Sequence, residues 1–194
     1  MDIFQITTLA MLDVYYIAYL MKAFSLKRRG IIVNLLGKGS KPQKALIIEW
    51  FLRLATLGGA VIQFGSVIFS DMIWSAPLIL PVHIVGLALL FLGNIIFIMA
   101  MLTMRNNWRA GFDNNQNTNL VTTGIYKYSR NPAFVGFDLL YIGCAAAFPN
   151  IINIIAALTL VILFHMQILG EEEYCAKVFG QEYSEYKMKV RRYF

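Results

Sequence analysis

The sequence predicts an all-α integral membrane protein with five transmembrane helices. Three observations lead there. Hydrophobic residues make up 58% of the 194 positions and charged residues only 14%, against about 25% charged in an ordinary soluble domain. The apolar residues gather into runs near or above the roughly 20 residues that a helix needs to cross the hydrocarbon core. Apart from Arg53, the Lys and Arg residues lie between, beside or after those runs.

The runs justify the helices one by one. Residues 3–21 have an acidic flank at Asp2, no small-residue cleavage site and Asp13 inside, so they read as a retained span rather than a signal peptide. Residues 45–69 and 78–104 exceed the minimum and leave room to tilt or project. Residues 133–148 are short, and only Pro149-Asn150 separates them from residues 151–169. A two-residue breaker between apolar runs predicts the tight turn of a helical hairpin.

Charge then orients the bundle. Lys27, Arg28, Arg29, Lys38, Lys41 and Lys44 lie between the first two spans. Arg105, Arg109, Lys127 and Arg130 lie between the third and fourth, and Lys177, Lys187, Lys189, Arg191 and Arg192 follow the fifth. The loops near Asp71 and Pro149-Asn150 carry no Lys or Arg. The positive-inside rule puts the N-terminus outside and the C-terminus in the cytoplasm, which an odd number of spans satisfies. The same topology accounts for the net charge of +6, so no nucleic-acid partner is expected. The chain divides into 1–104, three helices with a basic cytosolic loop, and 105–194, a cytosolic loop, the hairpin and a C-terminal amphipathic helix.

Several chemistries are excluded. Two cysteines, Cys144 and Cys175, offer neither a metal knuckle nor a disulfide framework, and no metal site is expected. The run Gly37-Lys-Gly39-Ser-Lys41 lacks the spacing of a phosphate-binding loop and reads as a flexible basic connector. No G-x-G-x-x-G opens a βαβ unit, so a Rossmann domain is ruled out.

Ionisable and polar residues inside spans are costly and point to function or to specific pairing. Glu49 and Arg53 have the i,i+4 spacing of a structural ion pair. Asp13 and Asp138 are expected to accept hydrogen bonds from Tyr or Asn on neighbouring helices. His83 reads as a packing residue near the outer side. His165 lies near the cytoplasmic mouth and is the better site candidate. Gly58-Gly59 and Gly143-Cys-Ala-Ala-Ala147 are small-residue surfaces for close helix packing.

The densest polar chemistry flanks the last hairpin. A polar loop, Asn114 to Asn119, leads through Gly124, Tyr126 and Arg130 to Asn131-Pro132, a cap and first-turn proline for the fourth helix. Free N–H groups at that helix start suit a carboxylate. Across from it, Glu171, Glu172 and Glu173 suit hydroxyls, ammonium groups or a sulfonium. Beyond them Cys175, Phe179, Tyr183, Tyr186 and Val190 share one helical face, either lying on the membrane surface or forming a lid over residues 124–134.

These residues resemble the isoprenylcysteine carboxyl methyltransferases and the related phospholipid methyltransferases. The matches are Gly124, Tyr126, Arg130, Pro132 and Gly136 before the hairpin, and Glu171, Glu172, Phe179, Gly180, Tyr183, Tyr186 and Val190 after it, over about the last 77 residues. The resemblance implies an integral membrane methyltransferase with a cytosolic active site, in a prokaryotic plasma membrane or the endoplasmic reticulum. It implies S-adenosyl-L-methionine as donor and a lipid-modified or lipidic acceptor, foremost the C-terminal carboxylate of an isoprenylcysteine. The alternatives are a phospholipid amine N-methyltransferase and an NADPH-dependent sterol or enone reductase.

By position, the resemblance assigns cofactor binding to Thr118, Asn119, Leu120, Val121, Tyr126, Asn131, Pro132, Ala133, Phe134 and Glu171. The candidate catalytic set is Arg130, Gln167, Glu172 and His165. Asn131 stands where the family has His, Phe134 where it has Tyr, and Gln167 where eukaryotic members have an Arg for the substrate carboxylate. An ionised carboxylate acceptor needs no strong base, whereas an amine acceptor needs a proton sink, for which Glu172 and His165 are the candidates.

Overall fold

The computed structural model describes residues 1–73, 79–112 and 119–194. Among them, five helices account for nearly all regular structure: α1 (Ile3–Arg28), α2 (Gln43–Ile68), α3 (Leu80–Met104), α4 (Pro132–Ala147) and α5 (Ile151–Lys189). Helix α1 starts at a reciprocal cap, in which Gln5 N donates to Asp2 Oδ1 and Asp2 N to Gln5 Oε1, each at 2.7 Å. It runs past residue 21 because Lys27 and Arg28 favour the negative end of a helix.

Four of these helices, α1, α2, α3 and α5, are long and apolar enough to cross a membrane. The fourth expected span is α4, whose 16 residues reach about 24 Å, short of the roughly 30 Å core. Its lower end is protected by protein instead. Asn153 Nδ2 donates to Cys144 O and Phe148 O, both at 3.2 Å, which occupies carbonyls that a helix end leaves free. Asn150 caps α5 by accepting from Asn153 N at 2.9 Å, so the hairpin turn at Pro149-Asn150 stands as expected.

Helix α4 lies directly on α3 along a seam of glycines. Gly86 and Gly93 on α3 face Gly143 and Gly136 on α4, in antiparallel order. A Cβ on Gly93 would come 2.9 Å from Gly136 O, and one on Gly136 would come 2.9 Å from Phe97 N. Backbones this close maximise dispersion contact where apolar lipid offers no hydrophobic drive between helices.

Helix α5 has 39 residues, of which the unbroken part up to Gly180 alone spans about 43 Å, and so must leave any bilayer that it crosses. Gly180 breaks it with φ 52° and ψ −118°, a positive-φ conformation that L side chains rarely adopt. The break turns Tyr183 and Tyr186 back over the rest of the protein, where both are buried. Gly180→Ala has no steric neighbour to meet, so its cost is backbone strain alone. It is expected to destabilise by about 1–3 kcal/mol, measured by thermal unfolding in detergent. An unchanged melting point would show that the break is not needed.

The three basic segments meet at one end of the bundle. Arg29 donates to Asn106 Oδ1 at 3.0 Å. Ala110 N donates to Val33 O at 2.8 Å, and Leu35 N to Ala110 O at 2.9 Å, stitching the two interhelical loops together. Arg130 N donates to Arg191 O at 2.9 Å, tying in the C-terminal tail. At the opposite end His83 is wedged between the Phe4 and Phe148 rings, 4.3 and 5.2 Å away, in the packing role expected of it.

Some expected pairings differ. Glu49 bonds Lys41 at 2.6 Å rather than Arg53, and both side chains are fully buried. Glu49 also accepts from Gly37 N at 2.8 Å. The 37–41 connector is therefore fastened down, not free. Its lysine reaches a buried carboxylate that would otherwise be unpaired, a far costlier state than a half-exposed Arg53. Asp13 is exposed and Asp138 Oδ1 is buried without a partner among the described residues, so neither aspartate takes the expected Tyr or Asn bond. The donor amide near them, Asn94, instead serves Met11 O and Leu90 O.

Candidate active site

A cavity of about 530 Å³ opens at the basic end, between α1, α2, α4, α5 and the loops that join them. That volume lies in the usual range of small-molecule sites. The start of α4 and the middle of α5 form one wall, and two hydrogen-bond networks hold that wall in place.

The first network centres on Glu172. Arg130 donates to its Oε1 through Nε at 3.2 Å and a terminal nitrogen at 2.8 Å, and Asn131 Nδ2 donates to the same oxygen at 3.1 Å. Arg192 reaches Oε2 at 3.2 and 2.9 Å. Arg130 also donates to Val190 O at 2.6 Å. The expected side-chain cap at Asn131 is absent: the side chain is drawn toward Glu172 and Arg192 O, to which Nδ2 donates, and its Oδ1 accepts no backbone N–H at the helix start. Burial pushes the Glu172 carboxyl up, but the hydrogen bonds from Arg192 and Arg130 outweigh it and hold the group below the ordinary carboxylate range. Glu172 is thus an ionised anchor with both oxygens occupied, and a poor proton sink.

The second network centres on Gln167. Its Nε2 donates to Glu49 Oε1 at 3.2 Å and to Glu171 Oε1 at 3.0 Å, linking α2 to α5. Glu171 has no ion-pair partner among the described residues. Burial pushes its carboxyl up to about 7, eased in part by the Gln167 bond. Glu171 lies beyond the apolar stretch 151–169, where a polar ligand can reach it.

Among the described residues, two buried donors belonging to cavity-lining residues have no partner, Trp108 Nε1 and Arg109 Nε. Buried orphan donors cost about 1–3 kcal/mol each. Over the cavity, Tyr186 OH donates to Tyr126 O at 2.6 Å. That contact fastens the last turns of α5 across residues 124–127, as a lid would be.

Most of the expected site residues converge here. Asn119, Leu120, Val121, Tyr126, Arg130, Asn131, Ala133, Phe134, Gln167, Glu171 and Glu172 all line the cavity. Pro132 is buried behind it as the first residue of α4. Thr118 lies outside the described residues. His165 is not in the cavity: it is exposed, and its Nδ1 bonds Tyr193 OH at 2.6 Å. Two residues, about 200° around the helix, separate it from Gln167 on α5, enough to turn it outward.

Two groups of wall residues escaped the sequence. The segment 107–112 lines the cavity through Trp108 and Phe112, positioned by the Val33–Ala110 pairing. Tyr15, Tyr16 and Tyr19 on α1, with Arg53 on α2, complete the far side. Three tyrosines within one apolar span were the available signal, since each hydroxyl needs a polar neighbour.

The family model for phospholipid methyltransferase matches residues 81–182, more than half of the chain. Among relatives, the protein-S-isoprenylcysteine O-methyltransferase of Schizosaccharomyces pombe is 36% identical over 77 residues, 39% of this chain and 33% of that protein. The human protein of the same name is 32% identical over 110 residues, 55% of this chain and 39% of its own. A probable protein-S-isoprenylcysteine O-methyltransferase of Oryza sativa subsp. indica is 30% identical over 115 residues, 56% and 59% respectively. The chain spans less than two thirds of the length of each of these relatives.

Proposed function

The chain belongs to the phospholipid methyltransferase family, and from that premise we propose that it is an S-adenosylmethionine-dependent membrane methyltransferase acting on a lipidic carboxylate of the isoprenylcysteine type. The observation that carries this reading is the cavity, whose α4–α5 wall lies in the matched segment. It offers Glu171, a carboxylate with no ion-pair partner among the described residues, on a lining shared with Asn119, Tyr126, Trp108 and Arg109. S-adenosylmethionine presents ammonium, carboxylate and hydroxyl groups that fit such a set. Glu171 would hold the cationic part, with Asn119, Tyr126 and the 107–112 segment around the rest.

When bound, that donor supplies a methyl group on a sulfonium, which an ionised carboxylate can attack without a general base. The protein's own residues have the remaining tasks. Gln167 fixes Glu171 against α2. Arg130, Glu172 and Arg192 pin the tail, and Tyr186 closes residues 124–127, so that the groups are aligned and water is excluded. Arg130, Glu172 and Gln167 therefore act as positioning residues. An amine acceptor would need a proton sink, and the two residues expected to provide it are an arginine-held carboxylate and a histidine outside the cavity.

The proposed setting is a bilayer crossed by α1–α5, with the basic end and the cavity in the cytoplasm. Acceptor entry is lateral. Leu20 on α1 and Leu57 on α2 line the cavity yet stay 62% and 63% exposed, so the wall between those helices opens to the side, where lipid would lie.

Binding of S-adenosylhomocysteine and NADPH to the purified full chain, by calorimetry, tests the reading. S-adenosylhomocysteine should bind, NADPH should not, and Glu171→Ala with Tyr126→Ala should weaken the first by about tenfold or more. No binding, or binding indifferent to the double substitution, would sink the donor assignment. Methyl transfer to a prenylcysteine, compared with transfer to phosphatidylethanolamine vesicles, then separates carboxylate from amine acceptors.

A further inference from the structure

Three cations line the cavity among the described residues: Arg53, Arg109 and Arg130. Arg130 spends all of its guanidinium nitrogens on Glu172, Val190 O and Lys187 O. Arg109 donates to Asn106 O and Trp108 O at 2.6 and 2.7 Å. Arg53 differs. Its guanidinium makes no hydrogen bond or ion pair among the described residues, and beyond the helix's own backbone bonds its carbonyl only accepts from Thr56 Oγ1. Its natural i−4 partner, Glu49, is taken by Lys41. A half-buried guanidinium inside an apolar helix, with no carboxylate paired to it among the described residues, is a costly placement that a ligand's negative charge would relieve.

The surroundings say which ligand. Arg53 shares its cavity-facing stripe with Leu57 and Ala60, and the facing helix contributes Tyr16, Tyr19 and Leu20. Leu20 and Leu57 sit at the lateral opening. An occupant entering there meets apolar surface first and the cation after it. That order suits an amphiphile with an anionic head and an apolar tail. Gln167, which is neutral and already donates to Glu49 and Glu171, cannot pair with such a head.

We propose that Arg53 on α2 binds the carboxylate of the lipidic acceptor at the lateral opening between α1 and α2. This rests on the proposed methyl-transfer function and assigns its acceptor subsite. Among the described residues three cavity charges lack an ion-pair partner, Glu171, Arg53 and Arg109, and of the two arginines only Arg53 also makes no side-chain hydrogen bond. Glu171 serves the donor's cation and Arg53 the acceptor's anion, so each substrate is placed by a separate charge.

The test compares N-acetyl-S-farnesylcysteine with its C-terminal carboxamide, both titrated into the full chain in detergent without donor. Wild type should bind the acid about tenfold or more tighter than the amide. Arg53→Gln should erase that preference, and Arg53→Lys should restore part of it, with S-adenosylhomocysteine affinity the same in all three. Wild type without acid preference overturns the proposal, as does Arg53→Gln retaining it. The Lys variant keeps the test decisive if the Gln variant fails to fold. If S-adenosylhomocysteine does not bind but the acid preference is present, the donor assignment falls and the acid subsite stands.

Discussion

Glu172→Gln is expected to destabilise the protein by about 3–5 kcal/mol and to release the C-terminal tail. The pair with Arg130 is almost wholly buried, with side chains 7% and 8% exposed, whereas Arg192 is 34% exposed. Removing one member of a buried pair leaves an uncompensated charge, while a partly exposed pair is worth only about 0–1 kcal/mol. The two halves of the clamp therefore differ, and Arg192→Ala should cost less than about 1 kcal/mol. Thermal unfolding in detergent measures both, and limited proteolysis near residue 190 reports the tail. Equal costs for the two variants would refute the ranking.

The same clamp carries a pH dependence. The Glu172 carboxyl is held below its ordinary value in the folded protein, so its stabilisation is fully present above the unfolded value of about 4.3. It is lost as pH falls through the lower folded value. Glu172→Gln should flatten that acid limb of the stability profile.

Gly143→Leu is expected to prevent α4 from seating on α3. A Cβ at this position would lie 2.7 Å from Leu90 N and 2.8 Å from Gly86 O, both backbone atoms that cannot rotate away. Ordinary overpacking costs about 1–3 kcal/mol because side chains can adjust. Here a helix must move, so the loss should exceed that range and abolish the monodisperse folded fraction in size-exclusion chromatography. Gly58→Leu is the matched control, since a Cβ there meets nothing within 4 Å. Folded yield that survives Gly143→Leu as well as it survives Gly58→Leu would dispose of the seam. Because α4 carries Asn131, Ala133 and Phe134 at its start, displacing it also dismantles the cavity wall.

Neighbouring glycines show how far pattern reading reaches. Gly58-Gly59 looks like one small-residue surface, yet only Gly59 is crowded, against Leu160 and Tyr141. Spacing marks which helices can approach closely, but which residue faces the neighbour depends on helix rotation. The glycines at 86 and 93 do not mark a seam in the sequence, since their meaning depends on Gly136 and Gly143 lying opposite. The pairing of Glu49 failed for a similar reason. Spacing i,i+4 identifies a possible partner on the same helix, and a lysine eight residues earlier in the chain competes through a loop whose path the sequence does not display.

Helix positions were legible because apolar runs must be about 20 residues long in a bilayer and because Pro and Asn punctuate them. Eleven cavity residues were legible because two motifs surround one hairpin, and a hairpin forces its flanks together. Roles were less legible than places. Glu172, Arg130 and Asn131 lie at the cavity as expected, but only their mutual distances make them an anchor rather than acid–base groups. His165 lies close to the site in sequence and faces away from it, since α5 rotates about 100° per residue.

Arg53 marks the same boundary from the other side. Its presence in an apolar span, four residues after a glutamate, is a one-dimensional fact that favours an ion pair. Whether a buried charge is already neutralised depends on every element packed around it, and that is decided only when the loops and helices close on one another. Composition and periodicity specify a membrane bundle because the bilayer imposes one length and one polarity on every span. Which charges are spent on holding the bundle and which are left for ligands is a property of the packed structure, where burial makes each pairing exclusive.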